Sequence, residues 1–338
     1  MHEVQYRETI EDTIAYKEAY VKGIRKIIED RELESVARRD QYCADIFRYP
    51  ERYRQEFKAM LGWPLTEKPN PSVPAARIKK LAEEPIGTIY RVSTQVLDGF
   101  FMTGLLFQKD ERKRPLVIVQ HGGAGTPERV GNLYGYTANY HHIVERVLQY
   151  DVNVFAPQLL LWDKMYQVEF DREDLDARLK RVGSSVTALE VYGLTRIMDY
   201  FEAQEYVDGF GMVGLSYGGF YTLFTAAVDT RIKSAISCSF FNKRKNYARK
   251  DWTWFGAAET FSDAEIACLV YPRKLCIEVG ISDEVFGIDD AREELCRLRE
   301  MAGAVEEDWL TTIEFEGTHE FYMEDMPIKK LAEEINGF

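Results

Sequence analysis

Apolar residues recur along this chain in two rhythms. In residues 1–85 they follow a helical period: Ile10, Ile14, Val21, Ile24 and Ile28 stand at helical spacing between charges. Pro50 suits the first position of a second helix whose apolar side is Tyr53, Phe57, Met60 and Leu61, with Gly62 as its stop. Pro64, Pro69, Pro71 and Pro74 then mark an irregular connector. This part reads as a helical extension packed on the core.

From about residue 86 short β-rich runs alternate with helical stretches, the pattern of a largely parallel sheet covered by helices on both faces. Residues 88–96 and 100–107, joined around Asp98-Gly99, predict an antiparallel hairpin at the sheet edge. Further strands are predicted over 116–120, 152–156, 210–215, 232–237, 275–279 and 311–315. Helices are predicted over 140–150, 185–204, 219–228, 289–301 and 328–335. Residues 159–182 and 241–271 break the alternation. Long irregular insertions in such a sheet usually serve as lids or pocket walls.

At 338 residues the chain can bury a large core, as one big α/β domain or two smaller ones. A net charge of −13 argues against nucleic acid or an anionic membrane as partner, because both need a basic face. Residues 1–12 are polar and charged, with no apolar signal core, and no run of about eighteen apolar residues occurs. The five cysteines (Cys43, Cys238, Cys268, Cys276 and Cys296) are scattered, with no C-x-x-C pair. A reducing, cytoplasmic setting is the simplest expectation, with no metal held by these thiols. The oligomeric state is left open.

The chemistry gathers around Gly214-Leu215-Ser216-Tyr217-Gly218, a G-x-S-x-G segment between a predicted strand and a predicted helix. That context defines a nucleophile elbow: a sharp strand-to-helix turn exposes the serine hydroxyl, and small flanking residues allow it. An overlapping G-x-G-x-x-G at residues 209–214 has Asp229 twenty residues past its start, where a ribose-binding acid would sit. A dinucleotide fingerprint needs a strand before its first glycine and a helix opening within it. Here the strand runs through the glycines, and Asp229 ends a helix instead of a strand. No organic cofactor is expected.

A serine hydroxyl needs a base to take its proton, and the base needs an orienting acid. His319, in Glu316-Gly317-Thr318-His319, sits just past the last predicted strand, where a general base should hang. His2 is at the terminus. His141 and His142 are adjacent in a predicted helix and make a poor metal pair. His121 directly follows residues 116–120 and reads as a structural anchor. Asp283 is the first acid beyond the strand 275–279, and the order Ser216, Asp283, His319 is the one expected for a serine hydrolase on such a sheet. Glu284, Asp289 and Asp290 are rivals for the acid. For the oxyanion that forms on attack, the donors expected are the backbone amides of Tyr217 and of Gly123 in His121-Gly122-Gly123-Ala124-Gly125. A phosphate-cradling loop needs a following Gly-Lys-Ser/Thr, which is absent.

On these residues the chain from about 86 to 338 resembles an α/β-hydrolase, similar to the acetyl xylan esterase and dienelactone hydrolase-like branch. The matching pieces are VIVQHGG (117–123), GLSYGG (214–219), VDTRIKSAIS (228–237), VGISDEVF (279–286) and FEGTHEF (315–321). RYRQEFKAMLGW (52–63) is similar to the helical N-terminal extension of some members. The resemblance implies an α/β-hydrolase fold and cleavage of carboxylic esters. The chain departs from the family in PQLLLWDKMYQ (157–167), which lacks the usual aspartate-arginine-glycine-like turn, and in having no secretion signal. Both departures turn the expected substrate away from polymeric xylan, towards a small or acylated-carbohydrate ester. Trp162, Tyr166, Trp252, Trp254 and Phe255 crowd the two insertions and are candidates to line its pocket. The alternatives are a peptidase on the same fold and a catalytically inactive binding module.

Overall fold

The computed structural model describes residues 7–247, 249–305 and 307–337. Its centre is one nine-stranded sheet: β1 (Ala76–Glu84), β2 (Gly87–Leu97), β3 (Phe100–Gln108), β4 (Arg114–Gln120), β5 (Asn153–Pro157), β6 (Val207–Leu215), β7 (Ile232–Cys238), β8 (Lys274–Gly280) and β9 (Leu310–Phe315). The spatial order is β1-β2-β3-β5-β4-β6-β7-β8-β9. From β5 to β9 every neighbouring pair is parallel, whereas β1, β2 and β3 form an antiparallel flank that joins through β3 to β5. The predicted hairpin is thus β2–β3, with Thr88 opposite Gln108 and Thr94 opposite Met102.

Strands buried on both faces read as unbroken apolar runs, and β4 is buried at all its positions. One face is covered by the helices Pro50–Leu61, Val186–Glu202, Tyr217–Val228 and Ile288–Ala302, through residues such as Phe57, Leu194, Phe224 and Leu295. The other is covered by Ile143–Leu148 and Met326–Asn336, through Val144, Val147, Ile328 and Leu331. This α/β architecture is that of an α/β-hydrolase.

Three expectations are corrected. Residues 76–84, assigned to the Pro-rich connector, are the edge strand β1. Its side chains are almost all exposed, so backbone pairing with β2, and no buried alternation, makes it a strand. Charged residues are characteristic of such edges. Second, the N-terminal helix Ile10–Tyr42 does form, started by a Thr9–Asp12 capping box, but its apolar stripe does not pack on the core. Ile10 is 76% and Ile28 50% exposed, and only Ser35 and Arg39 are buried. The helix is held near its end, where Arg39 Nε donates to the buried Glu265 at 3.1 Å. Third, residues 140–150 are not one helix. His141 and His142 have left-handed backbones (φ 46° and 53°) that break it into a short turn and the helix Ile143–Leu148.

Among the described residues no helix is long and apolar enough to cross a membrane.

Candidate active site

Ser216 stands between β6 and the helix Tyr217–Val228 with φ 59° and ψ −121°, a backbone few non-glycine residues adopt. The elbow is held by its neighbours: the Ser216 amide donates to the Cys238 carbonyl at the end of β7, at 2.9 Å. The tightness of the turn explains its glycines. A Cβ on Gly214 would lie 2.1 Å from the Gly218 carbonyl oxygen, and one on Gly218 would lie 2.4 Å from the carbonyl oxygen of Gln120. The Ser216 hydroxyl caps no amide of the helix that follows.

The loops after β8 and β9 bring two of the expected partners together. Backbone bonds from Ile281 to Phe315 and from Ser282 to Gly317, both 2.9 Å, zip these loops side by side. His319 Nδ1 lies 2.9 Å from Asp283 Oδ2 and 3.1 Å from Oδ1. A carboxylate accepts, so Nδ1 carries the proton and Nε2 is left as the basic nitrogen. The Asp283 side chain is 2% exposed, and its Oδ1 also accepts from the amides of Val285 (2.8 Å) and Phe286 (2.9 Å). Those two amides fix the carboxylate that fixes the imidazole. The rival acids lie elsewhere: Glu284 is exposed, Asp290 accepts from Asn246, and Asp289 faces Arg292. Among the described residues Ser216 Oγ has no hydrogen-bond partner, His319 included. Such contacts are often long before substrate is bound.

The loop after β4 packs on the serine. A Cβ on Gly122 would lie 3.2 Å from Ser216 Cβ. Gly122 spends its own amide on the Tyr140 hydroxyl (3.0 Å) and Gly125 its own on the Gly122 carbonyl (3.1 Å), whereas the amide of Gly123, whose Cα faces the Tyr217 ring, has no acceptor among the described residues. Tyr217 opens its helix, so its amide has no acceptor within that helix. His121 is the anchor expected: Nδ1 donates to the Gly122 carbonyl (2.9 Å) and Nε2 accepts from the Leu159 amide (3.1 Å). Complete burial pushes its pKa down to about 4, so it stays neutral. Of the remaining histidines, His141 Nε2 pairs with Glu320 Oε2 at 2.6 Å, bracing the residue next to His319. His142 is exposed, and His2 lies outside the described residues.

A cleft of about 540 Å³ opens beside these amides, lined by Gly123, Trp162, Phe170, Arg172, Tyr217 and Arg249 among others. Trp162 is a wall, its indole N–H tied to the Val168 carbonyl at 2.8 Å. Tyr166 instead braces the loop after β4, sharing a 3.0 Å hydrogen bond with Thr126. The other aromatics correct the expectation of a rim. Trp252 and Trp254 are only 3% and 6% exposed. Trp252 stacks on Phe220 (ring centroids 5.0 Å apart) and meets the Tyr217 ring edge-on (4.6 Å), so it supports the elbow from inside. Phe255 is fully exposed. The two insertions close tightly enough to turn aromatic residues into core.

The chief feature absent from the sequence reading is a buried ionic network. Arg172, from the first insertion, donates to Asp251 in the second (2.8 Å), to Glu190 (3.1 Å), to the Leu160 carbonyl (3.1 Å) and to the Tyr221 hydroxyl. Tyr221 in turn donates to Glu190. The Tyr217 hydroxyl donates to the same Asp251 oxygen at 2.9 Å. The residue after the serine is therefore held by an ion pair that joins both insertions. No spacing motif announces it, because Arg172 sits in a run of charges within the irregular insertion 159–182.

No family model matches the chain. YtaP of Bacillus subtilis (strain 168), provisionally named a hydrolase, is 29% identical over 137 residues, which is 37% of this chain and 46% of that protein. The chain thus spans less than half the length of this curated relative. Among solved structures, a glucuronoyl esterase from Solibacter usitatus superposes with a TM-score of 0.61 at 14% identity, covering 85% of this chain and 93% of that one. A Bacteroides fragilis NCTC 9343 protein provisionally named an acetyl xylan esterase gives 0.63 at 13% identity, covering 88% and 84%. Acetyl xylan esterase 1 from Thermoanaerobacterium sp. JW/SL YS485 gives 0.54 at 13% identity, covering 86% and 93%. The fold is common to all three.

Proposed function

We propose that this chain is a serine hydrolase that cleaves carboxylic esters of a small or acylated-carbohydrate substrate. The observations that support the reading are the buried Asp283 bonded to His319 Nδ1, on two loops zipped together at the strand ends, and the strained backbone of Ser216 at the end of β6. The resemblance in fold to acetyl xylan and glucuronoyl esterases supports the ester class and the carbohydrate side of the substrate. Five free cysteines fit a reducing, cytoplasmic setting.

In this reading Ser216 Oγ attacks the ester carbonyl while His319 Nε2 takes its proton. The carbonyl oxygen becomes an oxyanion, met by the amides of Tyr217 and Gly123. The intermediate collapses to an acyl-enzyme, and the departing alkoxide takes the proton from His319 Nε2. Water then attacks the acyl carbon and gives its proton to the same nitrogen. That proton returns to Ser216 Oγ as the acid leaves. Asp283 stays ionised throughout, orienting the ring and stabilising the imidazolium. No metal or organic cofactor enters the scheme.

The test is a panel of 4-nitrophenyl esters set against peptide anilides, with wild type and Ser216→Ala. The proposal expects ester turnover well above anilide turnover, falling on the order of 10⁴-fold in the variant. Anilide preference would make the chain a peptidase, and equal activity in folded Ser216→Ala would remove the serine from the mechanism.

A further inference from the structure

Among the described residues Arg249 is a cation that faces no anion. Its guanidinium has no carboxylate partner among them, although it lines the cleft beside the proposed oxyanion donors. It is not loose. The guanidinium carbon lies 5.2 Å from the centre of the Tyr217 ring, 5.7 Å from Tyr247 and 5.8 Å from Trp252. Its Nε donates to the Tyr247 hydroxyl at 3.1 Å and Nη1 to the Tyr217 hydroxyl at 3.3 Å. A guanidinium carries five N–H donors, so most of this one's capacity is unspent while its position is fixed by aromatic stacking.

Three acids of the same cleft are already committed to cations. Asp163 pairs with Arg129 (2.8 Å), Asp251 with Arg172 (2.8 Å) and Glu173 with Lys250 (2.9 Å). Asp171 caps the helix Arg172–Lys180 by accepting from the Asp174 amide (3.0 Å), and Glu169 is exposed. Against the Tyr217 ring, among the described residues, the charge awaiting a partner is that of Arg249, whereas Glu169 and Asp171 of the same lining have no cation. This holds in a chain whose net charge of −13 otherwise repels anions. Tyr217 supplies both the ring that holds Arg249 and a proposed oxyanion amide, so a single residue joins Arg249 to the proposed reaction site.

We propose that Arg249 selects an ester bearing a second, anionic group, a carboxylate on either its acid or its alcohol half, held by the free edge of the guanidinium. This rests on the ester-hydrolase reading above. The forked geometry suits a carboxylate, and the guanidinium, exposed at the cleft, is held in place for one by the rings behind it.

The experiment compares kcat/KM for two matched pairs of substrates in wild type, Arg249→Met and Arg249→Lys. Mono-4-nitrophenyl glutarate against 4-nitrophenyl butyrate places the carboxylate on the acid half. 4-Acetoxybenzoate against phenyl acetate places it on the alcohol half. Wild type should prefer the anionic member of one pair, and Arg249→Met should lower that preference about 10- to 100-fold, with partial retention in Arg249→Lys. The pair that responds identifies the half that carries the charge. An unchanged preference in Arg249→Met for both pairs overturns the proposal, as does a wild type that favours the neutral esters. If wild type cleaves no ester at all, it is the ester-hydrolase reading that fails. The anion site is then judged by calorimetry with glutarate and 4-hydroxybenzoate: binding weakened tenfold or more in Arg249→Met supports it, and equal or absent binding overturns it.

Discussion

Replacing Arg172 with Met keeps most of the side chain's length and removes the charge that joins the two insertions. The guanidinium is nearly buried (9% exposed) between Glu190 and Asp251, whose side chains are 5% and 2% exposed. Its loss leaves two carboxylates in the interior with no cation. Removing one partner of a buried ion pair costs about 3–5 kcal/mol, because the remaining charge keeps its desolvation penalty. Some compensation persists here. Glu190 still accepts from Tyr221 and from the Leu160 amide (2.6 Å), and Asp251 still accepts from Tyr217 (2.9 Å). The expected loss is therefore near the lower figure, about 3 kcal/mol, a large part of the ~5–15 kcal/mol that usually holds a domain together. Arg172→Lys should lose less, since its single ammonium can satisfy one acid but not both acids and the Leu160 carbonyl. Urea unfolding provides the assay: the midpoint should fall while the slope is kept. Ester turnover should drop in the folded fraction as Tyr217 loses its brace. A loss below about 1 kcal/mol with unchanged turnover would refute the view that this network holds the cleft walls.

Three further outcomes follow from the geometry. Asp283→Asn should abolish most ester turnover in a folded protein, because an amide cannot stabilise the imidazolium, whereas Glu284→Gln and Asp290→Asn should change kcat little. If either of those matched Asp283→Asn, the acid would be misassigned. Glu278, buried in β8, has its pKa pushed up to about 7 by burial. The folded state therefore holds a proton that the unfolded chain releases near the ordinary glutamate value, and the side chain's contribution to stability is lost as pH rises from about 4.5 through 7. Glu278→Gln should stabilise the protein at pH 8 and not at pH 4; a thermal-unfolding profile parallel to that of wild type across this range would contradict the assignment. Trp252→Ala should lose about 3–5 kcal/mol by cavity formation. Retained stability with altered acyl preference would instead restore Trp252 to a pocket rim.

Most of the sheet was legible because buried parallel strands announce themselves as unbroken apolar runs, as in Leu116–Gln120. The elbow was legible because steric demand leaves little choice of residue at Gly214 and Gly218. The meeting of Asp283 with His319 was legible from their places just past strand ends, where side chains reach one edge of the sheet. What stayed hidden has physical reasons. The edge strand β1 buries almost no side chain, so its composition carries no alternation. His141 and His142 adopt left-handed backbones imposed by tertiary contacts, including the Glu320 pair, against a local helical preference. Trp252 and Trp254 sit in an irregular segment, where spacing says nothing about which side becomes core. Arg172 and Asp251 are far apart in the chain, and nothing local distinguishes a buried ion pair from two surface charges.

The central claim is that Ser216 is the nucleophile, and labelling with a fluorophosphonate followed by mass spectrometry tests it most directly. The account predicts one phosphonyl group per chain, located on the peptide containing Ser216, with loss of ester turnover in proportion to labelling and no labelling of Ser216→Ala. Labelling at another serine, or full turnover by a protein stoichiometrically modified at Ser216, would contradict it.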